Sequence, residues 1–193
     1  ARAEIGPAPD RIGDPSEGLV PAADLRGGMP YLFPPSGRTA RRPLDVVGAE
    51  ALARWTDAEF GEVPPNVFIQ LAEETGFITT VGSWVLEQAV RQAALWQRSG
   101  TPLVVSINVS PLQFQQADFV DVVGQALRSA GLAPELLELE LTESILVRDA
   151  DEALLRLHAL ARLGLRLSID DFGTGYSSLS YLKRFPIDKL KID

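Results

Sequence analysis

The stretch Leu136-Leu137-Glu138-Leu139-Glu140-Leu141-Thr142-Glu143 alternates leucine with glutamate and ends in a second acid. In an extended chain successive side chains take opposite faces, so Glu138 and Glu140 share one face of a strand. Four other short apolar runs, 46–52, 103–109, 165–169 and 190–192, also carry polar groups at or near their C-terminal ends. These groups are Glu50, Asn108, the pair Asp170-Asp171, and Lys191 with Asp193. From Glu50 to Asn108, Glu140, Asp170 and Lys191 the intervals are 58, 32, 30 and 21 residues, and the middle ones suit one helix plus one strand. In a (β/α) barrel all strand C-termini open on one face, where such groups converge. In an open, doubly wound sheet the strand order separates them. The acids therefore favour the barrel.

Between the runs lie helical patterns at 66–75, 81–98, 119–130 and 150–163, with a shorter one at 177–185. Gly76, Gly100, Gly131 and Gly164 follow four of these, where a left-handed residue closes a helix. Nearly unbroken apolar strands alternating with helices indicate a parallel sheet covered by helices. Residues 1–45 differ: they hold eight of the 14 prolines, and six arginines balance six acids. This stretch reads as an irregular arm or linker with at most a short strand near Tyr31–Phe33, leaving 46–193 as the folded domain.

The 193 residues have a net charge of −8 and are 46% hydrophobic, enough for a sizeable core. With no cysteine and one histidine, His158, thiolate metal sites, thiol catalysis and most Ser-His-Asp arrangements are excluded. A metal site must then use oxygen ligands, which selects Mg²⁺, Mn²⁺ or Ca²⁺. No run of about 18 apolar residues is present, so no membrane contact is expected. The N-terminus lacks a signal-peptide pattern, and a cysteine-free chain fits a cytoplasmic setting. The acidic balance opposes binding to a nucleic acid polymer.

Carboxylates gathered at one barrel mouth would repel one another, and a bound divalent cation is the simplest way to keep them ionised. The plain alternative, that acids flank strands because strand ends face solvent, is accepted for Glu138. Adjacent Asp170 and Asp171 point to opposite sides unless a turn or bulge re-aims one. Gly173 and Gly175 permit such a turn and leave backbone N–H groups for a phosphate. Lys191, between Leu190 and Ile192, must turn its ammonium to the barrel mouth or pair it; Lys183 and Lys189 are expected in solvent. Arg54 lies where the strand gives way to loop and can fork onto a phosphate. His158 is expected on a helix surface, Trp84 and Trp96 in the core.

Glu50-Ala51-Leu52-Ala53-Arg54-Trp55 resembles the signature that names the EAL-domain family. Asn108-Val109-Ser110, Glu140-Leu141-Thr142-Glu143-Ser144, the run from Asp170 to Leu179, and Leu190-Lys191-Ile192-Asp193 continue the match in order and spacing. The resemblance implies a modified TIM (β/α)₈ barrel and a bacterial phosphodiesterase that opens cyclic-di-GMP (c-di-GMP) to linear pGpG with two Mg²⁺ or Mn²⁺ ions, Ca²⁺ being inhibitory. It implies Glu50, Asn108, Glu140 and Asp170 as ligands of one ion, and Asp171 and Asp193 as ligands of the second. Lys191 would hold or activate the attacking water, and Glu143 would anchor the Asp-Phe-Gly-Thr-Gly loop. Arg54, Leu52 and Asp171 would contact the nucleotide. The family's first strand carries Tyr-Gln-Pro, and Phe33-Pro34-Pro35 is the nearest counterpart, with proline in place of Gln. The family's late Ala-Glu-Gly-Val-Glu and Gln-Gly-Tyr segments have no counterpart before Asp193, so the barrel is expected to be incomplete here. Homodimers and fusion to sensor or cyclase domains of the GGDEF type follow by analogy. Two other readings stay open: a c-di-GMP receptor without catalysis, and an enolase-type barrel with Lys191 as carbon-acid base.

Overall fold

The computed structural model describes residues 19–24, 48–57, 59–145, 150–173 and 184–192. Among these residues seven strands form one sheet: β1 (Leu19–Asp24), β2 (Gly48–Asp57), β3 (Gly61–Val63), β4 (Val104–Val109), β5 (Leu137–Thr142), β6 (Arg166–Phe172) and β7 (Lys189–Ile192). The helices are α1 (Pro65–Thr75), α2 (Ile78–Arg98), α3 (Pro111–Phe114), α4 (Phe119–Ala130) and α5 (Ala150–Arg162). The order across the sheet is β1-β2-β4-β5-β6-β7, with β3 paired to β2. From β2 to β7 each neighbour along this path is parallel and next in sequence apart from the short β3. A doubly wound sheet would reverse its order at a switch point; this one never does. That is barrel order.

Two periodicities build the layers. Val105, Ile107, Val109, Leu137, Leu139, Leu141, Leu167 and Ile169 are buried in one core with Leu86, Val90, Val123, Leu127 and Leu157 of the helices. On α2 the buried positions Leu86, Ala89, Val90, Ala93 and Ala94 recur at helical spacing, giving one apolar stripe toward the sheet. Pro65 opens α1, where a missing N–H costs nothing, and Gly76 closes it at φ 75°, a conformation that suits glycine. Burying one leucine is worth about 1.5–3 kcal/mol. A one-residue slip of β5 would exchange three buried leucines for Glu138 and Glu140, so the register is strongly held.

The expected strands and helices appear within a few residues, with three differences. The strand anticipated near Tyr31–Phe33, and the Phe33-Pro34-Pro35 match, lie outside the described residues. The first described strand is Leu19–Asp24, which was not expected; it runs antiparallel to β2, with Pro21 opposite Ala53. It occupies the end of the described sheet, where a proline without an N–H is tolerated. Strand β2 also runs on to Asp57, because β1 and β3 both pair with its second half. Arg54 therefore sits inside a strand, not in a loop. The helix expected at 177–185 falls mostly outside the described residues.

Candidate functional site

With the helix-facing positions occupied by the apolar core, Glu50, Asn108, Glu140, Asp170 and Lys191 take the other face of β2, β4, β5, β6 and β7. Register aligns them: Asn108 is the partner of Glu140, Glu50 of Ser106, and Asp170 of Thr142. The Asn108 Nδ2 donates to Glu50 Oε1 at 2.8 Å. The Lys191 ammonium donates to Glu140 Oε2 and lies 3.4 Å from Asp170 Oδ2. Residues up to 141 positions apart in sequence thus share one cluster.

Electrostatics follow from that crowding. Burial pushes the Glu140 carboxyl above 4.5 despite the hydrogen bond and charge of Lys191, and the charge of Glu50 pushes it the same way. Burial alone would lower Lys191, but the hydrogen bond and charge of Glu140, with the charges of Asp170 and Glu50, outweigh it and raise it above 10.5. Lys191 is therefore an ammonium at neutral pH and serves as counter-ion to three carboxylates.

The two adjacent aspartates are separated by backbone geometry. The β6–β7 register shifts between Ile169 and Phe172, and Asp171 adopts φ 52°. Asp170 stays half-buried beside Lys191, whereas Asp171 is exposed. Glu143, one residue past β5, is 4% exposed, and its Oε2 accepts the Gly173 N–H at 3.1 Å. Leu52 and Arg54 continue the face of Glu50 along β2; the Arg54 Nη1 donates to the Ala53 carbonyl at 3.0 Å. Asp193 and the loop from Thr174 onward lie outside the described residues.

Among the described residues no three Asp, Glu or His side chains are grouped so as to hold a metal ion as placed. Lys191 stands between Glu140 and Asp170, and Asn108 turns its amide nitrogen to Glu50. The donor set nevertheless fits a hard divalent cation: every atom these side chains can offer is oxygen, and Glu140 is buried with its charge only partly offset.

One acid and one lysine were misjudged from sequence. Glu138 is 5% exposed, not on a solvent rim, and Lys189 is ion-paired to it at 3.1 Å. Their signal was the two-residue spacing itself, which puts Glu138 below Glu140 and Lys189 below Lys191. His158 is exposed on α5 as expected. Trp96 packs partly against the core, while Trp84 lines a groove of about 170 Å³ between β2 and α2.

Comparisons with known proteins agree with this geometry. The EAL domain profile matches residues 40–193. A bifunctional diguanylate cyclase/cyclic di-GMP phosphodiesterase, MucR of Pseudomonas aeruginosa, is 49% identical over 149 residues, covering 77% of this chain and 22% of that protein. Cyclic di-GMP phosphodiesterase PdeR of Escherichia coli K12 is 42% identical over 149 residues, covering 77% and 22%. Among solved structures, a MucR phosphodiesterase in complex with c-di-GMP superposes with a TM-score of 0.74 at 49% identity, covering 77% of this chain and 60% of that one. The EAL domain of Mycobacterium smegmatis DcpA gives 0.62 at 33% identity, covering 91% and 64%. The chain belongs to the EAL domain family, and its sheet is that of a TIM-barrel-like EAL fold. It spans about a fifth of the length of the curated relatives it matches. Family membership implies dependence on a divalent metal. No helix among the described residues is long and apolar enough to cross a membrane.

Proposed function

We propose that this chain is the phosphodiesterase domain of a signalling protein, hydrolysing one phosphodiester bond of c-di-GMP to give linear pGpG. One observation carries the reading: Glu50, Asn108, Glu140, Asp170 and Lys191, from five strands, meet in one cluster whose acids outnumber its cation. Relatives named as c-di-GMP phosphodiesterases, and a solved EAL structure holding c-di-GMP, support the substrate.

In this reading Glu50, Asn108, Glu140 and Asp170 hold one Mg²⁺ or Mn²⁺, and Asp171 with Asp193 a second. The ions, when bound, draw negative charge off the phosphate under attack. The remaining work falls to the chain. Lys191, raised above its ordinary range, keeps its proton and orients the attacking water as a hydrogen-bond donor. This also disfavours Lys191 as the carbon-acid base of an enolase-type enzyme. Glu50 completes the water's surroundings, Arg54 and Leu52 seat the nucleotide, and Glu143 keeps the glycine-rich loop against β5. A cytoplasmic location, homodimers and neighbouring sensor or GGDEF domains belong to the same proposal.

A receptor that binds c-di-GMP without cleaving it is less favoured, because the ligand set from Glu50 to Asp193 and Lys191 are all present. Incubating the parent protein with c-di-GMP and Mn²⁺ should yield pGpG, and Ca²⁺ should suppress it. Saturable c-di-GMP binding with no product under Mn²⁺ or Mg²⁺ would overturn the enzyme in favour of the receptor.

A further inference from the structure

Beneath the cluster lies a second set of charges that the proposed reaction leaves unused. Glu138 and Glu140 are two residues apart on the inner face of β5, and Lys189 and Lys191 are two apart on the inner face of β7. Strand β6 separates them, yet both lysines reach across it: Lys189 to Glu138 Oε1 at 3.1 Å, and Lys191 to Glu140 and Asp170. Ser168 makes this crossing possible. It is fully buried on β6, is the register partner of both Glu140 and Lys189, and carries a smaller side chain than Arg166 or Asp170 on the same face. The Ser106 hydroxyl donates to the same Glu138 oxygen at 3.2 Å. Asp188 fixes the height of the ladder: its N–H donates to the Leu167 carbonyl and its Oδ2 accepts the Leu167 N–H, both at 2.9 Å.

Two lysines and two glutamates on facing strands can pair in more than one way. Glu138 is 5% exposed, so without a cation beside it the nearest ammonium would be drawn down to it. Among the described residues the other ammonium is that of Lys191, two residues along the same face of β7. We infer that Lys189, by occupying Glu138 from the layer below, is a positioning residue that keeps Lys191 on Glu140 and Asp170. Lys189 is half-exposed, and Ser106 shares its acceptor, so the lower layer is satisfied without help from the upper one. The inference rests on the phosphodiesterase reading for its kinetic consequence, and on geometry alone for its structural one.

The test uses the full chain in four forms: unsubstituted, Lys189→Arg, Lys189→Met, and the double variant Lys189→Met/Glu138→Gln. With c-di-GMP and Mn²⁺, Lys189→Met is expected to lower kcat about tenfold or more with KM changed less than twofold. Lys189→Arg should stay within twofold of the unsubstituted chain. The double variant should recover to within about threefold, because the neutral amide no longer attracts Lys191. A purely structural role for Lys189 predicts the reverse, since the double variant removes more. The second readout needs no turnover. The 193 residues hold three lysines (183, 189 and 191), so ¹⁵N-lysine spectra of the metal-free protein are readily assigned. The Lys191 ammonium signal should move in Lys189→Met and return in the double variant. A Lys191 signal unmoved by Lys189→Met, or a double variant no more active than Lys189→Met, overturns the inference. Absence of product from the unsubstituted parent protein would instead overturn the phosphodiesterase reading, and the spectra would still decide this one.

Discussion

The Gly173 N–H donates to the buried Glu143 Oε2 at 3.1 Å, tying the loop after β6 to the end of β5. A carboxylate accepting a backbone N–H in a buried setting makes one of the stronger hydrogen bonds, about 1.5–3 kcal/mol. Glu143→Ala should release the loop, lowering c-di-GMP hydrolysis at least tenfold. Glu143→Gln keeps an accepting oxygen and should retain most activity. Steady-state kinetics of the two variants check this; equal losses in both would show that the charge matters and not the tether.

Lys191 is the counter-ion of Glu50, Glu140 and Asp170 in the metal-free protein. Lys191→Met should cut turnover about 10²-fold or more, because the attacking water loses the donor that orients it. Its melting temperature in chelator should fall, and Mn²⁺ should raise that of the variant more than that of the unsubstituted chain. Thermal scans with and without Mn²⁺ measure both. A smaller Mn²⁺ gain in the variant would refute the counter-ion role.

Stability of the metal-free protein should decline as pH rises above 4.5 through the contribution of Glu140. Its folded value is raised by burial, so above 4.5 the folded state holds a proton that the unfolded state has released. The raised Lys191 acts at the other end: its contribution is complete below 10.5 and is lost as pH climbs through the higher folded value. Urea midpoints in chelator, compared with Glu140→Gln between pH 5 and 8, isolate the first effect. The advantage of the unsubstituted chain over that variant should shrink toward pH 8.

Gly82 of α2 faces the buried Gln113, whose Oε1 would lie 2.2 Å from an added Cβ. Gly82→Ala gains about 1 kcal/mol of helix propensity, but overpacking costs about 1–3 kcal/mol. The net expectation is a lower urea midpoint, recovered in part by Gly82→Ala/Gln113→Ala. A Gly82→Ala protein more stable than the parent would show that Gln113 moves aside freely.

Asp171→Gly should separate stability from activity. Asp171 sits at φ 52°, where a non-glycine residue is strained by about 1 kcal/mol or more and glycine relaxes the strain while adding freedom to the unfolded chain. The urea midpoint should be unchanged or slightly higher, while Mn²⁺-dependent turnover drops sharply. Retained turnover would remove Asp171 from the proposed second ion site.

Much of this fold was legible because each strand advertises its two faces. Leu137, Leu139 and Leu141 against Glu138 and Glu140 give the orientation of β5, and the near-equal spacing of Asn108, Glu140 and Asp170 gives the barrel order. Strand β1 was not legible: Leu19-Val20-Pro21-Ala22-Ala23-Asp24 has neither alternation nor strong strand formers, and exists because β2 offers an edge. The burial of Glu138 was missed for another reason. An acid between leucines looks the same on a rim as in an interior until a partner is known, and Lys189 lies 51 residues away. The split between Asp170 and Asp171 was foreseen as a possibility of the backbone, but only the left-handed turn assigns one side to each.

That turn has a consequence for comparing this chain with its kin. Two identical letters stand side by side, one bent inward beside an ammonium and its twin bent out toward water. An alignment slid by a single place would score the same aspartate twice and exchange two dissimilar positions without any visible mismatch. Only the torsion angle between them keeps the pair distinct.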